Sequence, residues 1–239
     1  MGFDNSAENY LKSTDHAVGN DLDYFEKYFA GRRFGKALDV ACAAGHFAAA
    51  FPAEDIYTAD ISLNMLKTAR DSFGFDKPVL TRGEFLPYKD DTFDLVGCRI
   101  AMHHFMNPCM FINDVFRVLK DGGYFVLIDS VVGFEDAELN RIELIRDTTH
   151  RRSFKVEEIL AMASVEGFQT ETSEVFYKEH IFEEWARRLK PSEEQYEATK
   201  EAFLSLPEKI KNELRLKAKG GTILSYTDKK AVFIFKKTI

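Results

Sequence analysis

Two adjacent histidines, His103 and His104, and two carboxylates at the ends of apolar runs, Asp39 and Asp60, are the residues of this chain best suited to chemistry. An imidazole titrates near neutral pH, so either histidine can serve as a general base toward a hydroxyl, a phenol or an enol carbon. Neighbours on a turn or helix start point apart, so one of the pair reaches a substrate, and His103 is favoured over His104. The competing assignment for each is a histidine packed on Phe105 and bonded to backbone. Asp39 heads a loop of small residues, Asp39-x-Ala41-x-Ala43-x-Gly45, in which no side chain keeps a ligand away from the backbone. Asp60 follows this loop by about twenty residues, the place from which a carboxylate accepts both hydroxyls of an adenosine ribose. The pyrophosphate signature G-x-G-x-x-G is missing, and an acid at the head of the loop suits an ammonium better than a diphosphate. A turn that merely packs helix on strand is the other account of this loop.

Further along, Asp147 and His150 make a second acid and imidazole pair, and Arg151 or Arg152 suits a carboxylate or phosphate gripped by two parallel hydrogen bonds. The alternative is a helix end with solvated charges. No metal is expected, because adjacent histidines lack the i, i+4 spacing that aims two ligands from one helix face.

Alternating strands and helices must position these groups. The runs 37–40, 78–81, 93–98 and 124–129, with the segment leading to Asp60, read as buried strands, and the stretches 22–29, 63–73 and 110–120 as helices between them. Short connections then imply a parallel, doubly wound sheet of the Rossmann type, whose ligands bind beyond the carboxyl ends of the strands. Asp39, Asp60, Glu84, Arg99 and Asp129 all fall at such ends. Beyond residue 135, helices are expected over 138–148 and 154–165, the second capped by Ser153 and stopped at Gly167. A strand is expected over 168–177, then a charged helical stretch over 182–218 with too few apolar residues for a core of its own, then two terminal strands, TILSYT and AVFIF. The whole chain, 1–239, reads as one domain: a helical lid over 1–30, a core over 34–135, the second half of the sheet over 136–181, a helical insertion over 182–219 and terminal strands over 220–239.

The totals narrow the class. At 239 residues and 45% hydrophobic content the chain can bury a large core. Its net charge of −7 argues against a nucleic-acid binder. Three cysteines without CxxC spacing, a polar opening and no apolar run of membrane-spanning length indicate a reduced, cytoplasmic protein off the membrane. Cys42 is expected to be a small core residue, and Trp185 a packing anchor.

The loop resembles motif I of the class I S-adenosylmethionine-dependent methyltransferases, commonly D-x-G-x-G-x-G, with Asp39 and Gly45 matching and Ala41 and Ala43 in place of two glycines. The segment 84–129 is similar to the middle of the small-molecule branch related to the ubiquinone and menaquinone C-methyltransferases. It carries their LPF-x-D-x-x-FD-x-V element as LPYKDDTFDLV, a histidine pair after the fourth strand, and RVLK-x-GG before the fifth. Residues 146–152 resemble the R-D-x-S-H-x-R element of one branch. The likeness spans roughly residues 5–180. It implies a seven-stranded α/β sheet, mostly parallel with an antiparallel last strand and a helical lid, and methyl transfer from S-adenosylmethionine, leaving S-adenosylhomocysteine, to O, C or N of a small organic acceptor. It assigns to the cofactor Asp39, Ala41, Ala43, Gly45, Asp60 on the ribose, Ile61, Met65, Arg82, Gly83, Glu84 and Arg99. The acceptor receives Tyr10, His16, Asp147, His150 and Arg152, with Tyr10, His16 and Asp21 in a segment that folds over the cofactor. Arg82 stands where many relatives have an adenine-binding Asp. The rivals are a cofactor-binding protein without turnover, motivated by the two alanines and Arg82, and a nicotinamide-dependent oxidoreductase, which lacks its pyrophosphate loop here. A homodimer is compatible with either.

Overall fold

The computed structural model describes residues 19–238, so the candidate acceptor residues Tyr10 and His16 lie outside the described residues. A helix, α1 (Asn20–Tyr28), leads into β1 (Phe34–Val40), the short α2 (His46–Ala49), β2 (Ala53–Asp60), α3 (Leu63–Phe73) and β3 (Pro78–Leu80). The Ser62 hydroxyl accepts the Met65 amide to start α3, and Gly74 at φ +79° ends it, a left-handed turn that glycine adopts without steric cost.

After an irregular stretch comes β4 (Phe93–Arg99), a turn of 3₁₀ helix (Met102–His104), α4 (Pro108–Val118) and the long β5 (Leu119–Val132). The Asn107 side chain caps α4, which has Pro108 at its first turn, where the missing N–H costs nothing. The chain then forms α5 (Asp136–Arg146), β6 (Phe154–Lys155), α6 (Val156–Val165) and β7 (Phe168–Ile181). Three helices follow, α7 (Phe182–Arg187), α8 (Glu193–Leu204) and α9 (Glu208–Glu213), before β8 (Lys217–Lys219) and β9 (Thr222–Lys237).

The main sheet runs β3-β2-β1-β4-β5-β9-β7, with β6 beside β5 and β8 beside β9. Pairs from β3 through β5 are parallel, whereas β9 runs antiparallel to both β5 and β7. This is the doubly wound, mostly parallel sheet with an antiparallel last strand that was expected. One face packs on α4 and α6 through Phe111, Ile112, Val115 and Ile159, and the other on α1 and α2 through Phe25, Phe29, Phe47 and Phe51, all buried. Strands covered on both faces explain the near-continuous apolar runs in the sequence.

Several local expectations change. The two terminal strands are one, β9, because Asp228, Lys229 and Lys230 keep pairing with β5 or β7 instead of forming a turn. Ser153 does not cap α6. Its amide donates to the Asn140 side chain at 2.7 Å, Phe154 joins the two-residue β6, and Lys155 takes the cap, its amide donating to Glu158 at 2.8 Å. The stretch 182–218 shares a core with its neighbours, since Phe182, Trp185, Phe203 and Ile210 pack with Leu139 and Ile142 of α5 and Tyr226 of β9. Those partners lie far away in sequence, and the apolar count of the stretch alone omits them.

Candidate active site

The loop after β1 keeps a glycine-like path although two of its positions are alanine. Ala41 has φ +56°, Ala43 φ +46° and Gly45 φ +95°, a left-handed conformation at every second residue. The Ala43 amide donates to Asp60 Oδ2 at 2.9 Å and the Ser62 amide to Asp60 Oδ1 at 2.8 Å, so the acid ending β2 ties down the loop after β1. Asp39, at the carboxyl end of β1, is buried, and neither of its oxygens meets a donor at hydrogen-bond geometry. Burial, with the charge of Asp60 beside it, holds its pKa well above the usual carboxylate value.

A cleft of about 330 Å³ opens beside this loop. Ala41, Ala43, Asp60, Ile61 and Met65 line it together with Arg82, Gly83, Glu84, Arg99 and Phe105. A side chain on Gly83 would sit 2.7 Å from the Phe105 ring, so glycine is what admits that ring. Glu84 is buried and accepts the Met106 amide at 2.8 Å, fixing the segment that carries Phe105. Arg99 donates to Asp21 at 2.7 Å with both side chains buried. Asp21 is therefore an internal ion-pair partner.

A second, polar hollow of about 110 Å³ lies against the first, and Ile100 and His104 line both. His103 lines the polar hollow. Its Nδ1 lies 2.5 Å from Asp129 Oδ1, and its backbone amide donates to Asp129 Oδ2 at 3.0 Å. Burial opposes a charge on this imidazole, but the charge and hydrogen bond of Asp129 outweigh it, and the His103 pKa lies above the ordinary histidine value. Burial likewise disfavours the Asp129 carboxylate, and His103 overcomes this to hold its pKa below the usual value. His104 behaves oppositely. Burial, then the neighbouring charge of His103, pushes it down to about 3, and its Nδ1 meets the Thr149 hydroxyl at 3.2 Å.

Of the remaining sequence candidates, Asp147 and His150 line the polar hollow with the histidine pair. They do not bond to each other through their side chains as an oriented pair. The His150 Nε2 meets Asn140 Oδ1 at 2.9 Å, while Asp147 accepts the Thr149 hydroxyl at 2.6 Å. Gly45 lines neither space, because it packs on Ala69, Phe73 and Phe75 at the start of α2. Arg152 is exposed and turns to Glu158 at 2.8 Å and Asp136 at 3.3 Å, so its acids hold it away, whereas Arg151 lines the cleft. Asp39 borders a small separate hollow shared with Ala43 and Arg99. The sequence offered no signal for Lys178, Arg188 and Lys230, which also line the polar hollow, since the strands and helices bearing them meet it only in the fold. Asp129 was legible as a strand-end acid but not as the partner of His103. Burial raises the Cys42 thiol well above its usual pKa, which suits a small core residue.

Residues 38–127 match the family described as Methyltransferase domain. The uncharacterised methyltransferase YcgJ of Bacillus subtilis is 30% identical over 197 residues, which is 78% of this chain and 78% of that protein. A demethylmenaquinone methyltransferase of Anoxybacillus flavithermus is 30% identical over 113 residues, covering 41% of this chain and 48% of its own. Among solved structures, a Bacillus halodurans protein assigned as a methyltransferase superposes with a TM-score of 0.87 at 30% identity, covering 92% of this chain and all of that one. With likeness of this extent in both sequence and sheet topology, the chain belongs to the class I S-adenosylmethionine-dependent methyltransferases.

Proposed function

We propose that the apolar cleft takes the cofactor, the polar hollow takes a small organic acceptor, and the His103–Asp129 pair is the general base between them. The observation that carries this is the junction: the two spaces share Ile100 and His104, and His103 stands on the polar side of it. The cofactor fits the residues present. The loop has the left-handed backbone of a glycine loop, the Asp60 carboxylate lines the cleft beside it, and the buried Asp39 carboxylate lacks donors that an ammonium would bring. When bound, S-adenosylmethionine supplies a methyl carbon activated by its sulfonium for in-line displacement.

The protein's own part is alignment, exclusion of water and removal of a proton. Asp129 fixes the His103 ring by its Nδ1, which leaves Nε2 as the nitrogen that takes the acceptor's proton. The neutral His104 lies at the junction and can orient the acceptor without competing for that proton. Phe105 and Ile61 offer the adenine two apolar surfaces. The test is calorimetric titration with S-adenosylhomocysteine, with NAD as control. Asp60→Ala is expected to weaken S-adenosylhomocysteine at least tenfold, because it removes hydrogen bonds to a charged acceptor and releases the loop. Unchanged affinity in that variant would remove the ribose from Asp60.

A further inference from the structure

The hydrogen on the His150 imidazole is placed by Asn140. The Asn140 side chain meets the Ser153 amide at 2.7 Å, and a backbone N–H only donates, so this end of the side chain is its oxygen. The other end agrees, since its nitrogen donates to the Asp136 carboxylate at 2.8 Å and to the Ser153 carbonyl at 3.1 Å. An amide oxygen only accepts. His150 Nε2, 2.9 Å from that oxygen, therefore carries a hydrogen. Burial, then the charge of His103 when it is protonated, lowers the His150 pKa, so the ring is neutral and this hydrogen is its only one. Nδ1 is left with a bare lone pair.

His150 is 2% exposed and lines the polar hollow. No described group donates to its Nδ1, and Nδ1 is not among the sealed polar atoms that lack a partner, so it opens onto the hollow. The His150 and His103 ring centroids are 5.6 Å apart, and His103 has likewise committed its Nδ1, to Asp129. Two imidazoles thus border one space, each with one nitrogen spent on its own partner and the other able to accept. When bound ligands exclude water, a bare nitrogen costs binding energy unless the acceptor brings it a donor. That donor is a neutral one. With His103 uncharged, the described cations and carboxylates lining the hollow, with Asp129 behind it, cancel, and nothing in that balance selects a charged ligand.

Resting on the assignment of this hollow to the acceptor, we infer that Asn140 holds His150 as a hydrogen-bond acceptor and that the methyl acceptor is a small diol, one hydroxyl facing His103 Nε2 and its neighbour donating to His150 Nδ1. Asn140 is a positioning residue, and His150 sets specificity. In the transfer, the oxygen of the first hydroxyl takes the methyl group, its proton passes to His103 Nε2, and the electrons of the broken carbon–sulfur bond stay on the sulfur of S-adenosylhomocysteine. The second hydroxyl is unchanged. A monomethyl ether turned round would set an oxygen without hydrogen against the Nδ1 lone pair, so one methyl group is transferred and not two.

The experiment is NMR of the imidazole nitrogens in the full chain saturated with S-adenosylhomocysteine, with the His150 signals identified by their loss in His150→Phe. At neutral pH, wild-type His150 should show a protonated Nε2 and a bare Nδ1. Asn140→Asp sets a charge against that Nε2–H, so His150 should there titrate above the ordinary histidine value of about 6.5, whereas mere loosening of the site would return it only to that value. Propylene glycol is then titrated beside isopropanol, and catechol beside phenol. At least one diol should bind tenfold or more tightly than its monohydroxy counterpart and move the His150 Nδ1 signal, and His150→Phe should abolish the preference while changing S-adenosylhomocysteine affinity less than twofold. Failure of S-adenosylhomocysteine to bind wild-type protein would sink the cofactor assignment itself. If it binds, probes that leave the His103 and His150 signals unmoved would take the acceptor out of this hollow, and the diol with it. Probes that move His103 without preferring the diol, or a wild-type His150 with its hydrogen on Nδ1, would overturn only the diol and the role of Asn140.

Discussion

His103 and His104 are adjacent in the chain and opposite in electrostatics, because Asp129 reaches only the first. That asymmetry sets a pH prediction. The base must be unprotonated to act and its pKa is raised, so kcat/KM should rise with pH through a midpoint above the ordinary histidine value of about 6.5. Asp129→Asn removes the charge that raises it, so the midpoint should fall and the plateau rate with it. His104→Asn should weaken acceptor binding and leave the midpoint in place, since a group with a pKa of about 3 is already neutral. A midpoint unmoved in Asp129→Asn would exclude His103 as the base. For stability the same pair works in the opposite sense. The raised His103 pKa contributes stability below about 6.5 that is lost as pH rises through the folded value, and the lowered Asp129 pKa contributes above about 3.8 and is lost as pH falls. A second prediction concerns Ala43, held at φ +46°. A left-handed alanine costs roughly 1–2 kcal/mol, and glycine adds about 0.4–1 kcal/mol of unfolded-state entropy, so Ala43→Gly should stabilise the protein by up to about 1 kcal/mol in a denaturant titration. In the sequence the two alanines stand only as departures from the glycines of motif I. Their backbone angles were illegible, because local preference opposes a left-handed alanine and only the fixed ends of the loop impose it.

At the scale of elements, legibility followed the range of the interactions. Helix α3 could be read from the spacing of its apolar residues, and β1, β4 and β5 from their apolar runs, because burial on one face or on both leaves a local mark. The helices α7 to α9 could be seen as helices but not as a packed layer. Their apolar residues are sparse in any one window, and they become a cluster only when α5 and β9 close over them. Phe203 is the clearest case. It is fully buried and its ring meets Phe182 and Trp185 of α7 and Tyr226 of β9. Phe203→Ala is expected to cost about 3–5 kcal/mol in equilibrium unfolding, the range for emptying a buried aromatic site. A cost below about 1 kcal/mol would mean that the layer is a loose surface addition. The same closure builds the polar hollow, since Arg146 of α5 lies over the Trp185 ring at 4.1 Å and donates to the Trp185 carbonyl at 3.2 Å.

For the whole molecule, the question is whether the sheet and the helical layer fold as one unit. β9 joins them, because it pairs with β5 and β7 in the sheet while Tyr226 of the same strand sits in the layer's core. The polar hollow spans the join, with His103 supplied from beyond β4 and Trp185 from α7. Separate unfolding of the layer would thus expose Tyr226 and Ile142 and open the acceptor side of the site, a cost that couples the two. The protein carries its own reporter, since Trp185 is its one tryptophan. Its fluorescence should follow the layer, while far-ultraviolet circular dichroism follows the sheet and helices together. The two denaturation curves are expected to coincide in midpoint and slope. Saturation with S-adenosylhomocysteine at about a hundred times its Kd should then move both by about 2.7 kcal/mol, although the cleft proposed for it is on the sheet side. A fluorescence transition that precedes the dichroism and ignores the ligand would make the layer an independent unit, and the acceptor hollow a contact between two bodies that open without unfolding the cofactor site.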